Sequence, residues 1–205
     1  MLASNDVTVY TLGTNIACFN LPIELVDDIN TAYDENSKNL KPHNDKLAGK
    51  IAEEKLINDI LTDEMKDTFK WCFEEYLKII KNHRALVGHL TRAWINEMKS
   101  GEYNPIHYHT GLNSEIGLSS VLMLKRPDWY GVEASREEAP ANGWLEFIGG
   151  DQAPLSQSQM RVDAKVGEFY VFPYTLLHGV YPFNSTDEVR RTLSYNCDLI
   201  QAKGK

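Results

Sequence analysis

Arg190–Ile200 reads RRTLSYNCDLI, and the two faces of this segment differ in kind. Side chains alternate along a strand, so Leu193, Tyr195, Cys197 and Leu199 fall on one side and Arg190, Thr192, Ser194 and Asn196 on the other. The first set suits a covering layer of helices. The second set is costly to bury unless something occupies the space it lines. An inward polar face of this kind belongs to a barrel or jelly roll. A strand with one solvated face is the alternative that this segment alone leaves open.

The flanking sequence favours the barrel. Thr91–Met98 (TRAWINEM) and Gly143–Gly149 (GWLEFIG) alternate, while Leu118–Lys125 (LSSVLMLK) and Gly167–Pro173 (GEFYVFP) are compact apolar runs with turn residues between them. Short strands without intervening helices predict an antiparallel double-stranded β-helix, or jelly roll. Upstream the period changes. Leu21–Tyr33 (LPIELVDDINTAY) and Thr62–His83 (TDEMKDTFKWCFEEYLKIIKNH) carry apolar residues at helical spacing, with Thr62 as N-cap and Asp63 and Glu64 at the positive end of the dipole. The expectation is a mainly β, α+β chain of one domain over residues 1–205. A helical part to about residue 89 packs on one sheet of a jelly-roll core spanning about 90–200.

Composition narrows the function. The chain of 205 residues has 21 basic and 29 acidic side chains, a net charge of −8, which disfavours a nucleic-acid partner. Cys18, Cys72 and Cys197 are too scattered for a disulfide framework. No signal peptide is evident and no apolar run approaches the roughly 18 residues of a membrane span, so a cytoplasmic protein without a membrane partner is expected. A homodimer is compatible with edge strands and an acidic surface.

Asn104–Gly111 reads NPIHYHTG. On an extended segment His107 and His109 point the same way, with Cα atoms roughly 7 Å apart, close enough for both imidazoles to reach one metal ion. His178, in Pro173–Phe183 (PYTLLHGVYPF), is the obvious third ligand; His43, His83 and His89 read as surface or satisfied core residues. Arg190, with the Thr192 hydroxyl two residues on, suits a carboxylate, because the guanidinium fork meets both oxygens.

Taken together, NPIHYHTG, GWLEFIG, GEFYVFP and LLHGVYPFNSTDEVRRTLSYN resemble the 2-oxoglutarate, Fe(II)-dependent oxygenases, specifically a prolyl-hydroxylase-like branch found in marine bacteria and their phages, over about Trp94–Asn196. The resemblance implies iron held by His107, His109 and His178, and 2-oxoglutarate gripped by Arg190 and Thr192, with Arg191 the choice if the register slips by one. It further implies O2 as co-reactant, no catalytic residue beyond the metal ligands, and hydroxylation of a small molecule or a peptide, with prolyl or another amino-acid residue as the first guess. His109 departs from the wider superfamily, which usually has Asp or Glu there; Glu115 is the alternative anionic ligand. Three imidazole ligands also imply metal affinity that falls below about pH 6.5. Trp94, Tyr108 and Trp144 are candidates for the substrate mouth or for aromatic core. The rival readings are a cupin-like metalloprotein without oxygenase activity and a non-catalytic jelly roll that binds a small acidic ligand.

Overall fold

In the computed structural model the described residues are 7–11, 13–44, 49–80, 86–133, 138–150, 157–184 and 187–201. The strands among them form two antiparallel sheets. β1 (Val7–Thr11), β2 (Asn15–Asn20), β3 (Glu53–Leu56), β4 (Leu86–Met98), β6 (Gly117–Lys125), β9 (Glu168–Pro173) and β11 (Arg190–Gln201) make the larger one, in the order β1-β2-β9-β6-β11-β4-β3. β5 (Asn104–His107), β7 (Leu145–Ile148), β8 (Gln159–Val162) and β10 (Leu177–Val180) make the smaller one, in the order β5-β10-β7-β8. The two sheets face each other as a double-stranded β-helix. The five expected strand segments are present as β4, β6, β7, β9 and β11.

α1 (Ile23–Asn36) and α2 (Asp63–Ile79) cover the outer face of the larger sheet. Thr62 caps α2, its hydroxyl accepting from Met65 N at 3.2 Å. The apolar stripe of α2, with Met65, Phe69, Phe73 and Tyr76, packs on Leu193, Tyr195, Cys197 and Leu199 of β11 and on Phe169 of β9. Phe69 stands edge-on to both Phe169 and Tyr195, at 5.2 and 5.4 Å between ring centres. The first third of the chain also supplies three strands, β1 to β3, to the larger sheet. Glu53–Leu56 (EEKL) lies in a charged run with no alternation of polarity, so its pairing to β4 has no local sequence signal.

The inner face divides in two. At one end Ile16, Val121, Phe147, Tyr170 and Phe172 form an apolar core between the sheets. At the other end polar side chains dominate. Residues paired across the larger sheet form rows there: Glu54, Asn96 and Thr192 in one, Trp94 and Ser194 in the next.

Candidate active site

His107 ends β5 and His178 lies in β10, and the two are cross-strand partners. His109 follows on the loop, where its backbone N–H donates to the Tyr174 carbonyl at 2.9 Å. One potential ligand nitrogen from each of the three imidazoles lies within 4.8 Å of the others. His109 Nε2 and His178 Nε2 are 3.1 Å apart. Two ring nitrogens that close require a proton or a cation between them. Ligands about 2.1 Å from a common ion and at right angles stand about 3 Å apart, so the spacing fits a metal.

The outer nitrogens fix the tautomers. His107 Nδ1 lies 2.7 Å from the Pro105 carbonyl and His178 Nδ1 lies 2.9 Å from the Leu176 carbonyl. A carbonyl only accepts, so each Nδ1 carries hydrogen and each Nε2 lone pair faces the cluster. Burial pushes all three imidazoles below their ordinary range, His109 to about 3, with the neighbouring histidines adding to the shift at His109 and His178. Burial thus favours the neutral imidazole at all three positions, the form that binds a metal. Glu115, the alternative anionic ligand, is exposed and lies by Leu77, Ile80 and Tyr174, away from the cluster.

Asn96, Asn104, Thr192, Ser194 and Trp94 wall the cavity in front of the imidazoles, closed by Val121, Leu145 and Val180. Of the three candidate mouth aromatics, Trp94 is at the site, 5.7 Å from the His109 ring, and is buried. Tyr108 is exposed and Trp144 half-buried. His43 is buried against the far side of Trp94, at 5.4 Å between rings, and His89 is exposed. His83 lies outside the described residues.

Arg190 lies two residues along β11 from Thr192 and is fully buried. Its Nε donates to the Gly143 carbonyl at 2.9 Å, its Nη1 lies 4.0 Å from Met98 Sδ, and its Nη2 has no partner among the described residues. A buried guanidinium facing a sulfur and a carbonyl, with one arm orphaned, fits an anionic ligand. Arg191 points the other way: its Nη1 donates to Asn30 Oδ1, and its Nη2 pairs with Asp34 and Glu97.

Behind the loop that carries His109 sits a group that sequence reasoning missed. Asp198, completely buried, accepts from Leu112 N, from Asn113 N at 2.7 Å and from the Tyr174 hydroxyl at 2.9 Å. It thereby ties the loop that leaves His109 to the segment whose carbonyl holds His109 N–H. Gly111 is required here, because a Cβ would lie 2.1 Å from the Ser114 carbonyl and 2.4 Å from Asp198 Oδ1. A lone charged residue inside the otherwise uncharged run YNCDLI was the available signal.

Residues 92–196 match the family described as "Putative 2OG-Fe(II) oxygenase". No curated protein matches the chain. Among solved structures it is similar to a Pseudomonas putida prolyl-4-hydroxylase, with 15% identity, 97% of this chain and 94% of that one covered, and a TM-score of 0.56. It is also similar to the viral collagen prolyl hydroxylase of Paramecium bursaria Chlorella virus-1, solved with 2OG, with 16% identity, 89% and 96% covered, and a TM-score of 0.57. A third is SnoK, a non-heme alpha ketoglutarate dependent carbocyclase from nogalamycin biosynthesis, with 14% identity, 99% and 88% covered, and a TM-score of 0.61. At these identities the structures establish the fold, and the family match sets aside the cupin-like and non-catalytic readings. No helix among the described residues is long and apolar enough to cross a membrane. The chain belongs to the 2-oxoglutarate, Fe(II)-dependent oxygenases, which work with Fe(II), 2-oxoglutarate and O2.

Proposed function

We propose that His107, His109 and His178 hold the iron, that Arg190 and Thr192 bind the distal carboxylate of 2-oxoglutarate, and that the chain works as one domain to hydroxylate an amino-acid or peptide substrate. The observation that carries this reading is the convergence of three imidazole nitrogens within 4.8 Å, two of them aimed by backbone carbonyls. Bound iron supplies the coupling of 2-oxoglutarate decarboxylation, to succinate and carbon dioxide, with oxidation of a substrate C–H bond.

The chain's own residues do the rest. Pro105 and Leu176 carbonyls keep the Nδ1 protons of His107 and His178 away from the metal position. Asp198 and Tyr174 hold the loop that carries His109. Arg190 supplies a positive charge in a dry wall, where its attraction for a carboxylate is least screened. Three neutral imidazoles leave the full +2 of Fe(II), which favours chelation of a dianion.

A prolyl residue is the first substrate to test, since two of the similar structures are prolyl hydroxylases. Iron content decides the ligand set. His178→Ala is expected to reduce iron from one per chain to near zero and to abolish succinate release, whereas His89→Ala retains both. Equal iron loss from both variants would mean surface binding or unfolding and would remove the assignment.

A further inference from the structure

We propose that Glu54, together with Asn96 and Trp94, forms a recognition wall for a substrate that carries a cationic nitrogen, an ammonium or guanidinium group, next to the C–H bond to be oxidised. This rests on the oxygenase reading of the same site.

The wall follows from the sheet register. Glu54 is the cross-strand partner of Asn96, and Asn96 of Thr192, so the three share one face in one row. Adjacent strands are about 4.8 Å apart, which places Glu54 two strands from Thr192 at the β3 edge of the sheet. The neighbours of Glu54 confirm its direction. Glu53 accepts from the Tyr33 hydroxyl of α1 and Lys55 donates to the Ser37 carbonyl, both on the helix side. Glu54 therefore points inward, beside the cavity that Asn96 and Trp94 line with the three histidines.

All three side chains are buried with a polar atom left over. Glu54 is 1% exposed, Trp94 3% and Asn96 6%. Glu54 Oε1, Asn96 Oδ1 and Trp94 Nε1 have no hydrogen-bond partner among the described residues. Buried polar atoms are nearly always partnered, and three neighbouring exceptions mark a place where a ligand completes them. Two of the three are acceptors and one of those is a carboxyl, so the missing group is chiefly a donor of N–H.

Charge decides between a neutral and a cationic donor. Fe(II) with three neutral imidazoles carries +2, 2-oxoglutarate carries −2 and Arg190 carries +1, so both carboxylates of the cosubstrate are met without Glu54. Arg191, the nearest cation in sequence to the cosubstrate arginine, is bound on the opposite face to Asp34 and Glu97. No ion pair among the described residues reaches Glu54 and its Oε1 is unpartnered, so a cationic nitrogen is the ligand that repays ionising this buried carboxyl. A neutral or anionic substrate leaves it unpaired.

The test is calorimetric titration of anaerobic protein loaded with Fe(II) and 2-oxoglutarate. The probes are L-proline (an α-nitrogen cation), Nα-acetyl-L-lysine amide (a side-chain cation) and neutral N-acetyl-L-prolinamide. At least one cationic probe is expected to bind wild-type protein tenfold or more tightly than the neutral one, and which of the two binds tells a free amino acid from a peptide side chain. Glu54→Gln is expected to abolish that preference. Asn96→Leu, which removes only the neutral acceptor, is expected to weaken the preferred probe, and it stands in if Glu54→Gln does not fold. Failure of both cationic probes to bind, equal binding of the neutral probe, or an unchanged preference in both variants overturns the proposal. Succinate release from 2-oxoglutarate by the same wild-type batch under air reports on the oxygenase reading separately. Release without cation preference removes only the present inference.

Discussion

The two faces of the larger sheet carry the same residue types to opposite ends, and adjacent arginines show it best. On the outer face Arg191 is satisfied by the fold itself, with Asn30 at 3.0 Å, Asp34 at 2.7 Å, Glu97 at 3.2 Å and the Tyr33 ring 4.6 Å beneath it. Only its Nε lacks a partner among the described residues. One residue earlier, on the inner face, Arg190 is buried deeper and meets no carboxylate among the described residues. The alternation of a strand therefore sorts two identical side chains, one into ion pairs made by the fold and one into a buried site where an Nη2 has no partner among the described residues. At this end of the sheet the outer arginine is met by the fold and the inner one keeps an arm unmet.

The outer face gives the largest effect. Phe169 is fully buried between the sheet and α2, edge-on to Phe69 and Phe73. Phe169→Ala is expected to cost about 4 kcal/mol in urea unfolding, the usual range for truncating a core phenylalanine. A loss under about 1 kcal/mol would break the contrast at its stable end.

The arginine pair sharpens it. Arg191→Met strands Glu97 and Asp34 and is expected to destabilise by about 3 kcal/mol, with 2-oxoglutarate affinity unchanged in the folded fraction. Arg190→Met removes a charge that the fold meets with the Gly143 carbonyl and the Tyr130 side chain but with no carboxylate contact among the described residues, so it should cost less stability than Arg191→Met. Its cost falls on the cosubstrate instead, with the KM for 2-oxoglutarate up at least tenfold, or about 1.4 kcal/mol. Exchanged phenotypes would mean that the inner and outer assignments of β11 are inverted.

Glu54 tests the inner face alone. Burial pushes its carboxyl up to about 7. The folded chain thus keeps a proton that the unfolded chain releases near pH 4.5, so this contribution is full below that pH and is lost as pH rises through 7. Glu54→Gln removes the dependence. The variant is expected to match wild type at pH 4 and to exceed it by about 2 kcal/mol at pH 8, by urea titration at the two pH values. A variant less stable at pH 8 would show that the carboxylate is already partnered.

How far the sequence could be read follows the same division. The placement of His107, His109 and His178 together, and of Arg190 and Thr192 on one face of β11, was legible because strand alternation and H-x-H spacing are local patterns, and α2 was legible from its apolar stripe and its Thr62 cap. β3 and Glu54 were not, because a short edge strand in a charged run gains its identity only from pairing with β4. The hydrogen bonds that aim the imidazoles come from backbone carbonyls of Pro105 and Leu176, which any residue type supplies. β2 likewise depends on β9, a partner remote in sequence.

The smallest effect asks whether every inner carboxyl awaits a ligand. Asp198 shares the inner side of β11 with Arg190, yet two backbone N–H groups and the Tyr174 hydroxyl satisfy it, and burial together with that carboxylate holds the Tyr174 phenol protonated above its ordinary range. Removing one of three donors should therefore be mild. Tyr174→Phe is expected to cost about 1 kcal/mol of stability, a single net hydrogen bond. The phenol also stiffens the segment whose carbonyl holds His109, so iron affinity should fall a few-fold while Arg190-dependent binding of 2-oxoglutarate stays the same. Chelator titration of iron against calorimetry of the cosubstrate separates the two. If Tyr174→Phe weakened 2-oxoglutarate as much as iron, Asp198 would belong to the ligand-facing set, and its hydrogen bonds could not be counted as structural.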